Sequence, residues 1–382
     1  MSATSPGRRA RLADLTAVGL LSAVLAAGGT YGVVATTAEG PVVTSAGGTV
    51  EADASASDAN ATPASYADGL DWGSVANRVS PSVVSIQVAT AAGGGEGSGV
   101  IWDDQGHIVT NAHVVEGAQE VRVTLSDGRS YAAEVTGSDP STDLAVLQVT
   151  EPPADLSAIG IGDDQKLSVG DPVMAIGNPL GLSGTVTTGI VSALDRPVST
   201  APLSTDDPST AAVTNAIQTS AAINPGNSGG ALVDANGQLI GINSAIASLP
   251  TGGGGQSGSI GIGFAIPMTV TKSIVAQLID SGFAEHAFLG VGLGEGEDTV
   301  DGATLTGAEI SGVEPGSPAE AAGLRAGDVI TTIDEERVPS STALVAQVRE
   351  RTSGSEATIG YIRDGEQDSV QVTLDTRPDD GR

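Results

Sequence analysis

From residue 69 to residue 267 the sequence is a succession of short apolar runs, each closed by a turn signal, a pattern that packs as antiparallel β structure. Val121, Val123 and Leu125 alternate with polar neighbours before Asp127-Gly128, and Leu232–Asp234 faces Gln238–Ile242 across Ala235, Asn236 and Gly237. The composition agrees: 53 glycines supply turns, while three Phe, two Trp and four Tyr leave the core to Val, Ile, Leu and Ala. The segment reads as an antiparallel barrel or sandwich. One helix closes it, because Val270, Ile274, Val275, Leu278 and Ile279 recur at helical spacing and Gly282 supplies a stop. The polar stretch Val198–Ala212 lacks periodicity and reads as a surface loop.

A second unit, from about 287 to 378, repeats the strand idiom with two short helices. The first begins at Ser317-Pro318, a cap followed by a proline at the first helical position, and ends at Gly323. The second spans Ser341–Arg351, with Leu344, Val345 and Val348 on one side. A chain of 382 residues has room for two domains and an extra terminal segment.

That segment lies at the N-terminus. Arg8, Arg9 and Arg11 precede Leu15–Ala35, an apolar stretch matching the roughly 20 residues that span a bilayer. We expect a basic cytoplasmic tail at 1–11 and a transmembrane anchor at 12–36. A cleaved signal peptide, giving a secreted form, is the alternative. Its apolar region usually runs about 7 to 15 residues before an A-x-A-like site, and neither feature is clear here. Residues 37–68, rich in Ala, Ser, Thr, Gly and Asp, read as a disordered linker holding the next domain on the order of 30 Å from the membrane.

The formal charge of −30 repels phosphate backbones and excludes nucleic acid as a partner. With no cysteine there is no thiolate nucleophile, disulfide or Cys-based metal site.

Three histidines restrict the choice of a general base. His107 follows Asp103-Asp104-Gln105-Gly106 and reads as an exposed turn residue, and His286 sits in the connection between domains, where a solvated role is expected. His113, in Thr110-Asn111-Ala112-His113-Val114-Val115, directly follows a strand-like run. Asp143 opens the nearly continuous apolar stretch Asp143–Val149, where a carboxylate needs a hydrogen-bonding partner. Taken alone, it reads as well as a turn or cap residue. Ser228 lies in Asn224-Pro225-Gly226-Asn227-Ser228-Gly229-Gly230, whose glycines could aim backbone amides at a developing oxyanion or simply form a turn.

Gly226-x-Ser228-x-Gly230 also fits the nucleophile elbow of an esterase, but that fold places its acid and histidine after the serine, and only His286 follows here. The order His113, Asp143, Ser228 is that of the chymotrypsin triad.

With these motifs together, the chain resembles the HtrA/Deg family of PDZ-containing serine proteases. The matching stretches are Thr110–Val115, Asp143–Val149, Gly177–Asp195, Gln218–Leu232 and Gly261–Pro267, and the likeness covers about 69–378. It implies a mostly-β fold: a chymotrypsin-like double antiparallel β-barrel protease domain at 69–284, then a PDZ domain at 285–378, a β-sandwich with two helices. By the same likeness Ser228 is the nucleophile, His113 the general base and acid, and Asp143 the orienting carboxylate. The amides of Gly226 and Ser228 form the oxyanion hole, and no cofactor or metal is implied. The family's specificity pocket maps to Ile223, Ile246 and Ile262, whose apolar walls favour a small aliphatic residue at the cleaved position. Asn227 stands where digestive trypsins carry an acid that pairs with a new N-terminus, so activation by N-terminal cleavage is not expected.

Phe288-Leu289-Gly290-Val291 resembles a PDZ carboxylate loop, with Leu344, Val345 and Val348 flanking a groove for C-terminal peptides added as a strand. The expected activity is a serine endopeptidase acting on unfolded or misfolded extracytoplasmic proteins in quality control and stress response. The rival from another class is a PDZ-dependent chaperone or signalling scaffold whose protease fold is idle. The family also implies a homotrimer held by aromatic residues, here Tyr66 and Trp72; Trp72 could instead cap its own barrel beside Leu70 and Val75.

Overall fold

The computed structural model describes residues 70–378 apart from residues 92, 180–183, 201–211, 225, 245–258 and 301. The expected tail, anchor and linker therefore lie outside the described residues. Among the described residues, no helix is long and apolar enough to cross a membrane.

Helix α1 (Trp72–Val79) opens the described chain, its first turn capped by the Asp71 carboxylate, which accepts from Ser74 N at 3.1 Å. Strands β1 (Val83–Thr90), β2 (Gly93–Ile101), β3 (His107–Thr110), β4 (Ala118–Thr124), β5 (Ser130–Asp139) and β6 (Leu144–Val149) close into a barrel in the order β1-β2-β3-β6-β5-β4. The one-turn helix α2 (Ala112–Val115) follows β3. A second barrel, ordered β10-β11-β12-β9-β8-β7, is made of β7 (Pro172–Gly177), β8 (Thr185–Thr200), β9 (Ala212–Thr219), β10 (Ala231–Asp234), β11 (Leu239–Ser244) and β12 (Gly263–Pro267). The expected β10–β11 hairpin is present, with Val233 opposite Leu239. The loop expected over Val198–Ala212 has strand at both its ends: Val198 pairs with Thr214 and Thr200 with Ala212 in the β8–β9 ladder, and residues 201–211 lie outside the described residues.

The apolar run of β6 has a structural cause. Ala145 and Leu147 point into the first barrel, while Leu144 and Val146 point out into a core shared with Met174, Ile176, Ala231, Val233 and Ile242 of the second. A strand buried on both faces loses the alternation that marks a half-exposed one. Helix α3 (Met268–Asp280) covers the same seam with Val270, Ile274, Val275 and Leu278, and Gly282 ends it at φ +83° while its N–H bonds to the Leu278 carbonyl. Each such side chain contributes on the order of 1.5 to 3 kcal/mol by leaving water, so this seam is the mechanical centre of the two barrels. Trp72 packs against that core from α1.

The C-terminal part carries β13 (Ala287–Phe288), β14 (Val291–Val300), β15 (Ala303–Val313), helix α4 (Pro318–Ala322), β16 (Val329–Ile333), β17 (Glu336–Arg337), helix α5 (Ser341–Arg349), β18 (Glu356–Arg363), β19 (Glu366–Thr373) and β20 (Asp375–Thr376). The sheet order β14-β15-β16-β18-β19 leaves β14 at an edge. Ser317 caps α4 by accepting from Glu320 N at 3.2 Å, and Gly323 ends it at φ +80°. Helix α5 stops at Arg349, two residues before the expected end.

Candidate active site

Strand pairing explains how His113 meets Asp143. Thr110 of β3 lies opposite Ala145 of β6, so the residues just beyond the end of one strand and just before the start of the other fall side by side. The Asp143 carboxylate accepts from His113 Nδ1 at 2.8 and 3.0 Å and from the His113 backbone N at 3.2 Å. A carboxylate only accepts, so Nδ1 carries the proton and Nε2 is left as the basic nitrogen. The Asp143 side chain is 9% exposed and that of His113 25%, which keeps the acceptor dry and the imidazole reachable.

Asp143 has φ +59°, a left-handed conformation that costs a non-glycine residue on the order of 1 to 3 kcal/mol unless its surroundings fix it. Its carbonyl accepts from Asn111 Nδ2 at 3.0 Å and from Ala112 N at 3.2 Å. Asn111 is fully buried, so the residue two before His113 serves the backbone of Asp143.

Sequence reasoning missed Ser244, whose hydroxyl donates to Asp143 Oδ2 at 3.1 Å from the end of β11. Its one signal was a polar side chain ending a fully buried strand, next to the equally buried Asn243, a position that calls for a partner without naming it.

Ser228 is buried in the turn before β10. Ser98 N donates to the Ser228 carbonyl at 2.9 Å, and Gly229 N donates to the Asn243 carbonyl at 2.9 Å, so strands of both barrels grip the turn. Gly226 sits at φ +99° and its carbonyl accepts from Ser98 Oγ at 2.6 Å. A side chain at Gly229, itself at φ +79°, would strike the Ser98 carbonyl and the Thr110 hydroxyl. The turn carrying Ser228 therefore rests directly on the segment that leads into His113.

Of the expected specificity residues, Ile246 lies outside the described residues. Ile223 is buried against Gly263, and Ile262 stands at the surface, 37% exposed. Asn224 Oδ1 accepts from Ser259 N at 2.9 Å, tying the segment before Ser228 to the approach of β12.

A separate groove of about 520 Å³ is lined by Phe288, Leu289, Gly290, Val291, Leu344, Val345 and Val348, so the seven residues expected to bind peptide share one surface. It runs between the free edge of β14 and helix α5. Ser199, Val213, Glu314, Arg349 and Arg377 are among the residues that also line it.

Two histidine expectations are corrected. His107 is half-buried at the start of β3, 2.6 Å from Asp103 Oδ2, because the turn before it folds back on the strand. His286 is 2% exposed, its Nε2 3.0 Å from Asp139 Oδ1, because the connection between domains is packed against the first barrel. At the same junction Asn215 Nδ2 donates to Glu350 Oε2 at 3.2 Å. Burial there pushes the Glu350 carboxyl up to about 7; the Asn215 amide opposes the shift, and Asp195 and Glu336 add to it. The Glu350 side chain is nevertheless exposed at the surface of the junction, so solvent screens much of that effect.

Residues 97–242 match the trypsin-like peptidase domain family, and residues 287–374 match the PDZ domain family. Serine protease PepD of Mycobacterium tuberculosis is 44% identical over 330 residues, spanning 83% of this chain and 69% of PepD. The chain belongs to the HtrA family of PDZ-containing serine proteases. Periplasmic serine endoprotease DegP of Escherichia coli is 46% identical over 283 residues, 73% of this chain, and the chain spans only 56% of DegP. Among solved structures, the HtrA-type protease AlgW with tripeptide superposes with a TM-score of 0.60 at 35% identity, covering 80% of this chain and 97% of AlgW. Membership makes this chain a serine protease with a double-barrel catalytic fold and one PDZ domain.

Proposed function

We propose that this HtrA protein is an extracytoplasmic serine endopeptidase that cleaves unfolded or misfolded polypeptides through His113, Asp143 and Ser228. The observation that carries the assignment is the 2.8 Å contact between His113 Nδ1 and Asp143, which leaves Nε2 free to act as base. Ser228 Oγ attacks the scissile carbonyl carbon while Nε2 takes its proton. The tetrahedral oxyanion meets the amides of Gly226 and Ser228. Collapse breaks the C–N bond as the imidazolium returns the proton to the leaving amine, leaving an acyl-enzyme on Ser228. Water, activated by the same Nε2, releases the acid.

Ile223, Ile246 and Ile262 form the specificity pocket and select small aliphatic residues, since no acidic wall is present to pair a basic side chain. The C-terminal domain recognises peptide C-termini by strand addition at β14. The unpaired β14 edge, the apolar face of α5 and the peptide complexes of AlgW support that reading. Segment 12–36 anchors the protein with 1–11 inside, 37–68 is the spacer, and 69–284 and 285–378 are the two folded domains. The protein works in protein quality control as a homotrimer.

Incubation with a fluorophosphonate probe tests the assignment. The parent labels on Ser228, Ser228→Ala does not, and Ser228→Ala cleaves no casein while melting at the parental temperature. A parent chain that does not label is the result expected of a PDZ scaffold with an idle protease fold.

A further inference from the structure

Asp143 holds its unusual backbone conformation at the end of a short turn, Asp139-Pro140-Ser141-Thr142, and the groups fixing that turn come from three separate parts of the chain. Within it, the Asp139 carboxylate accepts from Ser141 N at 3.0 Å and from the Thr142 hydroxyl. From the interdomain connection, His286 Nε2 meets the same carboxylate at 3.0 Å. From the PDZ domain, Arg349 Nη1 donates to the Ser141 carbonyl at 3.0 Å, and that carbonyl also accepts from Val213 N of the second barrel at 3.1 Å.

These contacts are well placed to transmit position. Asp139, Thr142, Asp143 and His286 are all buried, so none can trade its partner for water without loss. His286 is itself fixed, its carbonyl accepting from Arg377 N at 3.0 Å, and it immediately precedes β13. Arg349 is the last residue of α5 and also lines the peptide groove. The turn is thus held by the PDZ side of the molecule at its first and third residues, while its far end presents the carboxylate that orients His113.

We propose that His286 and Arg349 are positioning residues for Asp143, through which the PDZ domain and its connection hold the orienting carboxylate in register; this rests on the role of Asp143 in the triad. Neither residue belongs to the triad or to the specificity pocket, although Arg349 also borders the peptide groove. Their removal lets the Asp139–Thr142 turn relax, Asp143 leaves its left-handed conformation, and His113 loses the acceptor that fixes its tautomer. Displacement of a catalytic group by about 1 Å from a remote change costs on the order of 10²-fold in rate, whereas loss of the orienting carboxylate costs on the order of 10⁴-fold.

The test uses the full chain and six proteins: parent, Asp143→Asn, His286→Ala, His286→Gln, Arg349→Ala and Arg349→Lys. Each is assayed for kcat and KM on a fluorogenic peptide, for fluorophosphonate labelling of Ser228, and for the low-field proton resonance of His113 Nδ1. Both alanine variants should lower kcat and labelling on the order of 10- to 100-fold with KM little changed, and should shift or broaden the Nδ1 resonance. His286→Gln and Arg349→Lys, which keep a donor in reach, should recover most of the rate. Should His286→Ala fail to fold, Arg349→Ala and the Gln and Lys variants still decide the matter. Parental kcat and an unmoved resonance in folded Arg349→Ala, with Asp143→Asn inactive, would overturn the proposal alone. Parental labelling of Asp143→Asn would overturn the triad reading and the proposal with it.

Discussion

Replacing Gly229 by alanine tests whether the two barrels jointly hold the turn that carries Ser228. A Cβ there would lie 2.2 Å from the Ser98 carbonyl oxygen and 2.3 Å from Thr110 Oγ1, so relief to an ordinary contact of about 3.4 Å needs a shift of about 1.2 Å. The obstacles cannot easily retreat, because Ser98 and Thr110 are fully buried and the Thr110 hydroxyl donates to that same carbonyl at 2.7 Å. Left-handed backbone adds about 1 to 2 kcal/mol and overpacking about 1 to 3 kcal/mol, for a total of about 2 to 5 kcal/mol. A domain stable by about 5 to 15 kcal/mol survives all but the largest of these costs at its lower end, and the strain is relieved by moving the turn that carries Ser228. We expect kcat and fluorophosphonate labelling to fall on the order of 10²-fold in a protein that still melts cooperatively. Gly128→Ala is the control: its φ of +89° carries the same backbone strain, but nothing lies within 4 Å, so activity should hold while stability drops slightly. A Gly229→Ala protein that labels at the parental rate, or a Gly128→Ala protein that loses as much rate, refutes the reasoning.

Ser244→Ala removes one donor from Asp143 and should lower kcat about 10-fold, because a hydrogen bond to a charged group is worth about 1.5 to 3 kcal/mol; a parental kcat shows that the other donors suffice. Glu350 has a raised folded pKa, so the native junction holds a proton that the unfolded chain releases above 4.5, and stability should fall as pH rises from about 4.5 through about 7. Melting curves should show Glu350→Gln flattening that slope, and an unchanged slope assigns the pH dependence elsewhere. Ile262→Asp should move cleavage toward basic residues or abolish it; mass-spectrometric site mapping that finds the parental preference removes Ile262 from the pocket. Trp72→Ala should lower the melting temperature through lost packing on the seam and shift the mass seen by light scattering toward monomer; stability loss at constant mass leaves Trp72 as a cap on its own barrel.

What was readable in the sequence was read from local patterns. The β10–β11 hairpin, the Ser317 cap and the Gly282 stop each depend on a few consecutive residues, and each stands where the local chemistry puts it. His113 and Asp143 are legible only as a set, through the order His113, Asp143, Ser228 and the family likeness, because Asp143 taken alone reads as well as a turn or cap residue. Ser244 and His286 were not readable. Ser244 reaches Asp143 across 101 residues and His286 reaches Asp139 across 147, and no local pattern encodes a partner that distant. His286 was misread because a histidine between two domains reads as solvated unless the domains pack on the connection, which only tertiary structure decides.

Asn227 bears on how the turn around Ser228 is kept in shape. In trypsins activated by cleavage, the acid before the serine pairs with a new N-terminus and so fixes the turn; an amide at that position cannot do so. Here Ser98, fully buried on β2 of the first barrel, receives the Asn178 N–H at 2.8 Å and donates to the Gly226 carbonyl at 2.6 Å. Its backbone N–H meanwhile holds the Ser228 carbonyl at 2.9 Å. One residue of the first barrel thus grips the turn on both sides of Asn227, through neutral hydrogen bonds rather than a buried ion pair. Such bonds are worth about 1 kcal/mol each, less than a desolvated charge pair broken on one side, so the turn is held by the fit of the barrels rather than locked by a single covalent event. A protease built in this way can be adjusted by anything that shifts one barrel against the other.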